Sequence, residues 1–116
     1  MFTRKKTFTL DGVELQISPL TALQVEEHLV QEAEIVEAYA KAKESGADLK
    51  PLVKRQEKLM LSLICGGLNN ATPETKMTPE RLLSEADPVL IGKLQSEIME
   101  MSGLKMITPE SPPGEG

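Results

Sequence analysis

Hydrophobic and polar residues alternate from Thr7 to Ile17, with one interruption at Asp11-Gly12. Phe8 and Leu10 interleave with Thr7 and Thr9, and Val13, Leu15 and Ile17 with Glu14 and Gln16. A period of two places one set on one face of a strand, so two short strands sharing an apolar face are predicted. Asp-Gly tolerates the positive φ angles that a two-residue type I′ turn requires at both central positions. A lone hairpin is marginal in water, so its apolar face needs cover from the rest of the chain.

After Ser18-Pro19 the period lengthens to that of a helix. Thr21 and Gln24 have the spacing of a capping box, with Leu20 and Val25 placed as a hydrophobic staple. Ala22, Val25, Leu29, Ala33, Val36 and Ala40 recur at three- and four-residue steps and predict the buried stripe of a first helix ending at Gly46. A second helix is predicted from about Leu49 to Cys65, with Pro51 in its first turn. Its stripe is Leu49, Leu52, Val53, Gln56, Leu59, Met60, Leu63 and Ile64. Gly66-Gly67 is expected to stop it, with a loop running on through Pro73. The short connection favours an antiparallel helical hairpin. Thr78-Pro79 and Asp87-Pro88 each pair an N-cap with a proline that opens a helix. They predict a short helix to about Glu85 and a last one to about Ser102, capped by Gly103. Leu90, Ile91, Leu94, Ile98 and Met101 form the stripe of that last helix.

The expected fold class is α+β and mainly α: an N-terminal β-hairpin packed on a small bundle of about four helices. Residues 1–106 read as one domain. Residues 107–116 are rich in Pro, Gly, Ser and Glu and are expected to form a flexible tail. A chain of 116 residues has room for one such domain. With no Trp, one Tyr and two Phe, its core must come from aliphatic residues and Met.

Charge and chemistry narrow the function further. A net charge of -5 argues against a general nucleic-acid binder, which needs excess cations to displace counterions. A single cysteine, Cys65, suits a reducing compartment. No apolar run approaches the ~18 residues of a membrane span. Arg4-Lys5-Lys6 has no hydrophobic signal core after it, so it reads as a solubilised terminus and strand-edge guard. His28 reads as a surface partner of Glu32 at i,i+4. It is the sole histidine, and a Cys65–His28 dyad is the only nucleophilic pairing available. Packing beside Gly66-Gly67 is the simpler account of Cys65. One His and one Cys far apart do not match metal-ligand spacing. Gly66-Gly67 lacks the Gly-Lys-Ser/Thr of a phosphate loop. No enzyme, cofactor or metal is therefore expected.

The remaining oddity is methionine. Met77, Met99, Met101 and Met106 lie in the last third of the chain. Such flexible side chains suit irregular apolar partners. Met99 lies off its helix stripe and is expected to be exposed. Leu90, Leu94, Ile98, Met99 and Met101 are accordingly the candidate partner-binding residues, with the exposed edge of the first two helices as a second surface.

The order of features resembles the tail assembly chaperones of long-tailed bacteriophages. The hairpin Thr7–Leu15 leads into Ser18-Pro19-Leu20-Thr21-Ala22-Leu23-Gln24, and a helical middle follows. Met77-Thr78-Pro79-Glu80-Arg81-Leu82-Leu83 comes next, and Leu90 to Leu104 closes with Glu-Met-Ser-Gly-Leu. The resemblance implies a non-enzymatic protein of the host cytoplasm, absent from the finished virion. It implies two partners: the tape measure protein, which such chaperones keep soluble, and the tail tube protein, whose subunits they help recruit. The alternative reading is a self-associating minor tail or connector protein, with homo-oligomerisation open in either case.

Overall fold

The computed structural model describes residues 4–104; the tail expected at 107–116, like Met106, lies outside the described residues. The elements run β1 (Lys6–Leu10), β2 (Val13–Ile17), α1 (Ala22–Ser45), α2 (Lys50–Ala71), a 3₁₀ turn (Pro73–Thr75), α3 (Pro79–Glu85) and α4 (Pro88–Met101). This is the α+β, mainly helical architecture that the patterning predicts. The strands pair antiparallel with Phe8 opposite Leu15 and Leu10 opposite Val13. Asp11 and Gly12 have φ of 46° and 85°, as a type I′ turn demands.

Local signals set the helix ends. The Thr21 hydroxyl accepts from the Gln24 N–H at 3.2 Å, and the Gln24 carboxamide accepts from the Thr21 N–H at 2.9 Å, completing the capping box. Thr78 and Asp87 accept from the Arg81 and Leu90 N–H groups and open α3 and α4. Gly46 closes α1 in the left-handed conformation. At the end of α4 the Leu104 N–H reaches the Met99 carbonyl and the Gly103 N–H that of Glu100, which is a Schellman motif.

The second helix departs from expectation. It does not stop at Gly66-Gly67 but continues to Ala71. The glycines serve packing instead. A Cβ on Gly67 would lie 2.5 Å from Ile98 Cδ1, with two further Ile98 atoms within 2.9 Å; one on Gly66 would lie 2.8 Å from Leu20 Cδ2. Bare backbone here lets α4 and the start of α1 close onto α2. The gain outweighs the roughly 1 kcal/mol that each helical glycine costs relative to alanine.

α2 is the hub. α1, α3, α4 and the 3₁₀ turn make their main contacts with it, and β2 packs on it beside its partner strand β1. Its C-terminal half is buried on nearly every side through Leu61, Leu63, Ile64, Cys65, Leu68 and Ala71, as expected of a helix at the centre of a domain. Phe8, Ile17, Leu20, Leu82, Leu94, Ile98 and Met99 complete the core. Polar groups tether the connections to α2. The Ser18 N–H donates to the Gly67 carbonyl at 3.0 Å. Asn69 donates to the Met77 carbonyl and accepts from its N–H, and Asn70 donates to the Pro19 carbonyl and the Gln24 side chain. The basic N-terminal run is likewise tied in. Arg4 donates to the Met101 carbonyl, and Lys6 pairs with Glu97 at 2.9 Å. That hydrogen bond, and then the charge of Glu97, raises the Lys6 ammonium above the ordinary lysine value.

The two glycine environments give opposite signs for one substitution. Gly92 in α4 is exposed, and a Cβ there would meet nothing within 4 Å. Gly92→Ala is expected to stabilise by up to about 1 kcal/mol. Gly67→Ala gains the same propensity but overpacks Ile98, and overpacking costs about 1–3 kcal/mol. A net loss is expected. Urea denaturation of the two variants beside the parent checks both signs; a stabilised Gly67→Ala would refute the packing role.

Candidate functional site

The five candidate residues on α4 do not form one exposed surface. Leu94 and Ile98 are fully buried, because the ridge that carries them packs toward α2, with Ile98 seated on Gly67. Leu90 and Met101 are half-buried against the same core. Met99 is only 6% exposed, which corrects the expectation that it faces solvent. It lies between the α4 stripe and α1, off the expected stripe yet still inside the domain. Met77 is half-buried on the core too, its backbone held by Asn69.

The open apolar surface lies on α1. His28, Ile35 and Ala42, seven residues apart, are its buried positions. The stripe predicted from Ala22 to Ala40 is therefore rotated about the helix axis. Val25 is half-buried, but Leu29 is 46% and Val36 59% exposed, and Ala22, Ala33 and Ala40 are exposed with them. The heptad of His28, Ile35 and Ala42 was the available signal. It is easily missed because its first member is polar. On another flank Leu23 and Val30 are also exposed.

Val36 also lines a groove of about 230 Å³ between α1 and α4, floored by α2. Its walls carry His28, Glu32, Ile35 and Tyr39 from α1 and Gln95 and Met99 from α4, and its floor Gln56, Leu59 and Met60. Tyr39 donates to the Gln56 side chain at 3.3 Å, and Arg55 pairs with Glu34 at 2.8 Å, pinning α1 to α2 at the outer end. The groove and the Leu29–Val36 strip together offer apolar side chains at helical spacing, edged by carboxylates. Glu26, Glu34 and Glu37 are exposed, while Glu32 is half-buried in the groove wall.

The groups with chemical potential are His28 and Cys65. His28 is buried rather than on the surface, and its Nε2 lies 3.7 Å from Glu32, beyond hydrogen-bond distance. Of the two grooves that His28 lines, neither is lined by Cys65. Cys65 is buried in α2; burial, and then the charge of Glu80, raises its thiol above the ordinary value. A reactive cysteine needs the opposite shift. Among the described residues no group of three or more His, Cys, Asp or Glu is placed to hold a metal ion. None of the described helices is long and apolar enough to cross a membrane.

The raised thiol has a signed consequence. Below the unfolded-state value of about 8.5, neither folded nor unfolded protein ionises Cys65, and the group is neutral to stability. As pH rises through that value only the unfolded chain ionises, so stability falls until the folded thiol also titrates. Urea denaturation from pH 7 to 10 is expected to show a steeper alkaline loss in the parent than in Cys65→Ala; equal slopes would refute it. No family model matches the chain, and comparison with curated proteins and with solved structures returns no similar protein.

Proposed function

We propose that this chain is a non-enzymatic tail assembly chaperone of a long-tailed bacteriophage. It works in the host cytoplasm, holds a helical segment of the tape measure protein soluble, helps recruit tail tube subunits and does not enter the mature virion. The reading rests on the order of sequence features and on one structural observation: an apolar surface at helical spacing left open along α1 and into the α1–α4 groove. A helical client docks in such a groove through anchors at i, i+3, i+4 and i+7. The flexible side chains of Met60 and Met99 adapt to it, and the acidic net charge keeps the complex soluble.

The exposed pair Leu23 and Val30 favours the second reading, a self-associating minor tail or connector protein. Virion content separates the two: a chaperone is absent from purified tails, whereas a connector is present in them.

Val36→Glu and Leu29→Glu test the docking surface, because both positions are exposed and lie outside the buried core. Co-expressed with helical fragments of the cognate tape measure protein, the parent is expected to keep them soluble. Each variant is expected to weaken binding about tenfold or more by titration calorimetry, consistent with loss of one apolar anchor worth about 1.5–3 kcal/mol. Unchanged binding by both variants would remove this surface from the mechanism.

A further inference from the structure

We infer that the free edge of β2, together with the apolar cavity beneath it, is a docking site for an extended segment of a partner protein that carries one large aliphatic side chain and basic flanks. The site is separate from the α1–α4 groove and does not rest on the reading above.

The register defines the edge. Leu10 and Val13 flank a two-residue turn, so they form a hydrogen-bonded pair. Pairs alternate along the ladder, which makes Phe8–Leu15 and Lys6–Ile17 hydrogen-bonded as well. The N–H and C=O groups of Glu14 and Gln16 therefore point away from β1. Among the described residues, neither makes a backbone hydrogen bond to another element. Both residues are exposed.

The cavity is where a third strand would deliver side chains. It measures about 240 Å³ and is lined by Val13 and Leu15 from the inward face of β2, by Gln16 at the edge, and by Leu82 of α3, Leu90 of α4 and Ala86 between those helices. A strand paired with β2 places alternate residues on the same face as Val13 and Leu15. One of those residues points into this space, which has the volume for a leucine or isoleucine. Backbone pairing supplies affinity and the cavity supplies selectivity, the division of labour in strand addition.

Charge specifies the flanks. Glu14 sits on the edge with no ion pair among the described residues, and Glu85 lines the cavity and is shared with Arg81. A segment with Lys or Arg beside its apolar anchor complements them. A second copy of this chain fits less well. Its β2 edge carries the acidic Glu14 where the site calls for a basic flank.

The test uses the isotopically labelled full chain and the blocked peptide Arg-Thr-Val-Leu-Val-Thr-Arg. Saturable shifts are expected at the Glu14 and Gln16 amides and at the Leu15 and Leu90 methyls. Replacing the peptide leucine by alanine is expected to weaken binding about tenfold. Ala86→Phe fills the cavity and should abolish binding. Gln16→Pro removes one outward N–H at an edge position where proline is tolerated, and should weaken binding. If either variant is unfolded by thermal melt, the other decides. No saturable shift at millimolar peptide, shifts confined to the α1–α4 groove, or binding indifferent to the leucine would each overturn the proposal. So would concentration-dependent dimerisation of the free chain through β2.

Discussion

The fold depends on backbone closeness at one place, the Gly66-Gly67 step in the last third of α2. Ile98 of α4 and Leu20, just before α1, press on this step from different directions, and the Ser18 N–H bonds to the Gly67 carbonyl. Three parts of the chain far apart in sequence thus converge on two residues without side chains. A side chain at Gly67 would push α4 outward, and with it the cover of the hairpin, because Phe8 and Ile17 share one cluster with Leu94 and Ile98. The helix continues through the glycines because tertiary packing supplies more than local propensity removes.

Polar tethers fix what packing brings together. Asn69 and Asn70 hold the loops before α3 and α1 with hydrogen bonds of 2.7–3.1 Å. The Ser102 hydroxyl accepts from the Leu20 N–H and donates to the Ile98 carbonyl, so the end of α4 and the start of α1 share one residue. The Ser18 hydroxyl is the exception, fully buried and without a partner among the described residues. An unsatisfied hydroxyl costs about 1–3 kcal/mol. The backbone bond from the same residue to Gly67 shows why the site is kept: the chain must turn here, against α2, to pass from strand to helix.

The hairpin, the capping box, the helix starts at Pro79 and Pro88 and the class of the fold were legible because each rests on chemistry local to a few residues. Two features were not. Gly66-Gly67 has the same appearance in sequence whether it ends a helix or admits a neighbour, and only the presence of Ile98 and Leu20 decides between them. The face of α1 was misjudged because Leu29, Val36 and three alanines outnumber His28, Ile35 and Ala42 as an apolar stripe. Periodicity reports that a helix has an apolar side but not which of two sides α2 covers. The same ambiguity misplaced the candidate site. The last helix was expected to offer its apolar residues outward, and Leu94 and Ile98 are instead among the most deeply buried side chains in the domain.

That exchange has a physical logic. A domain this small has a core with room for few stripes, and α2 and α4 fill it. α1 adds 24 residues, of which only three are buried. A helix so lightly anchored would be free to evolve a polar outer surface, since Leu29, Val30 and Val36 add nothing to the core. Apolar residues on such a face favour association or adhesion unless charges interrupt them. Here Glu26, Glu34 and Glu37 do interrupt them, which limits indiscriminate sticking and leaves a strip one helix wide. A surface of that width and edging suits a helical partner far better than a flat one, which is why the proposed chaperone reading rests on α1 rather than on the last helix.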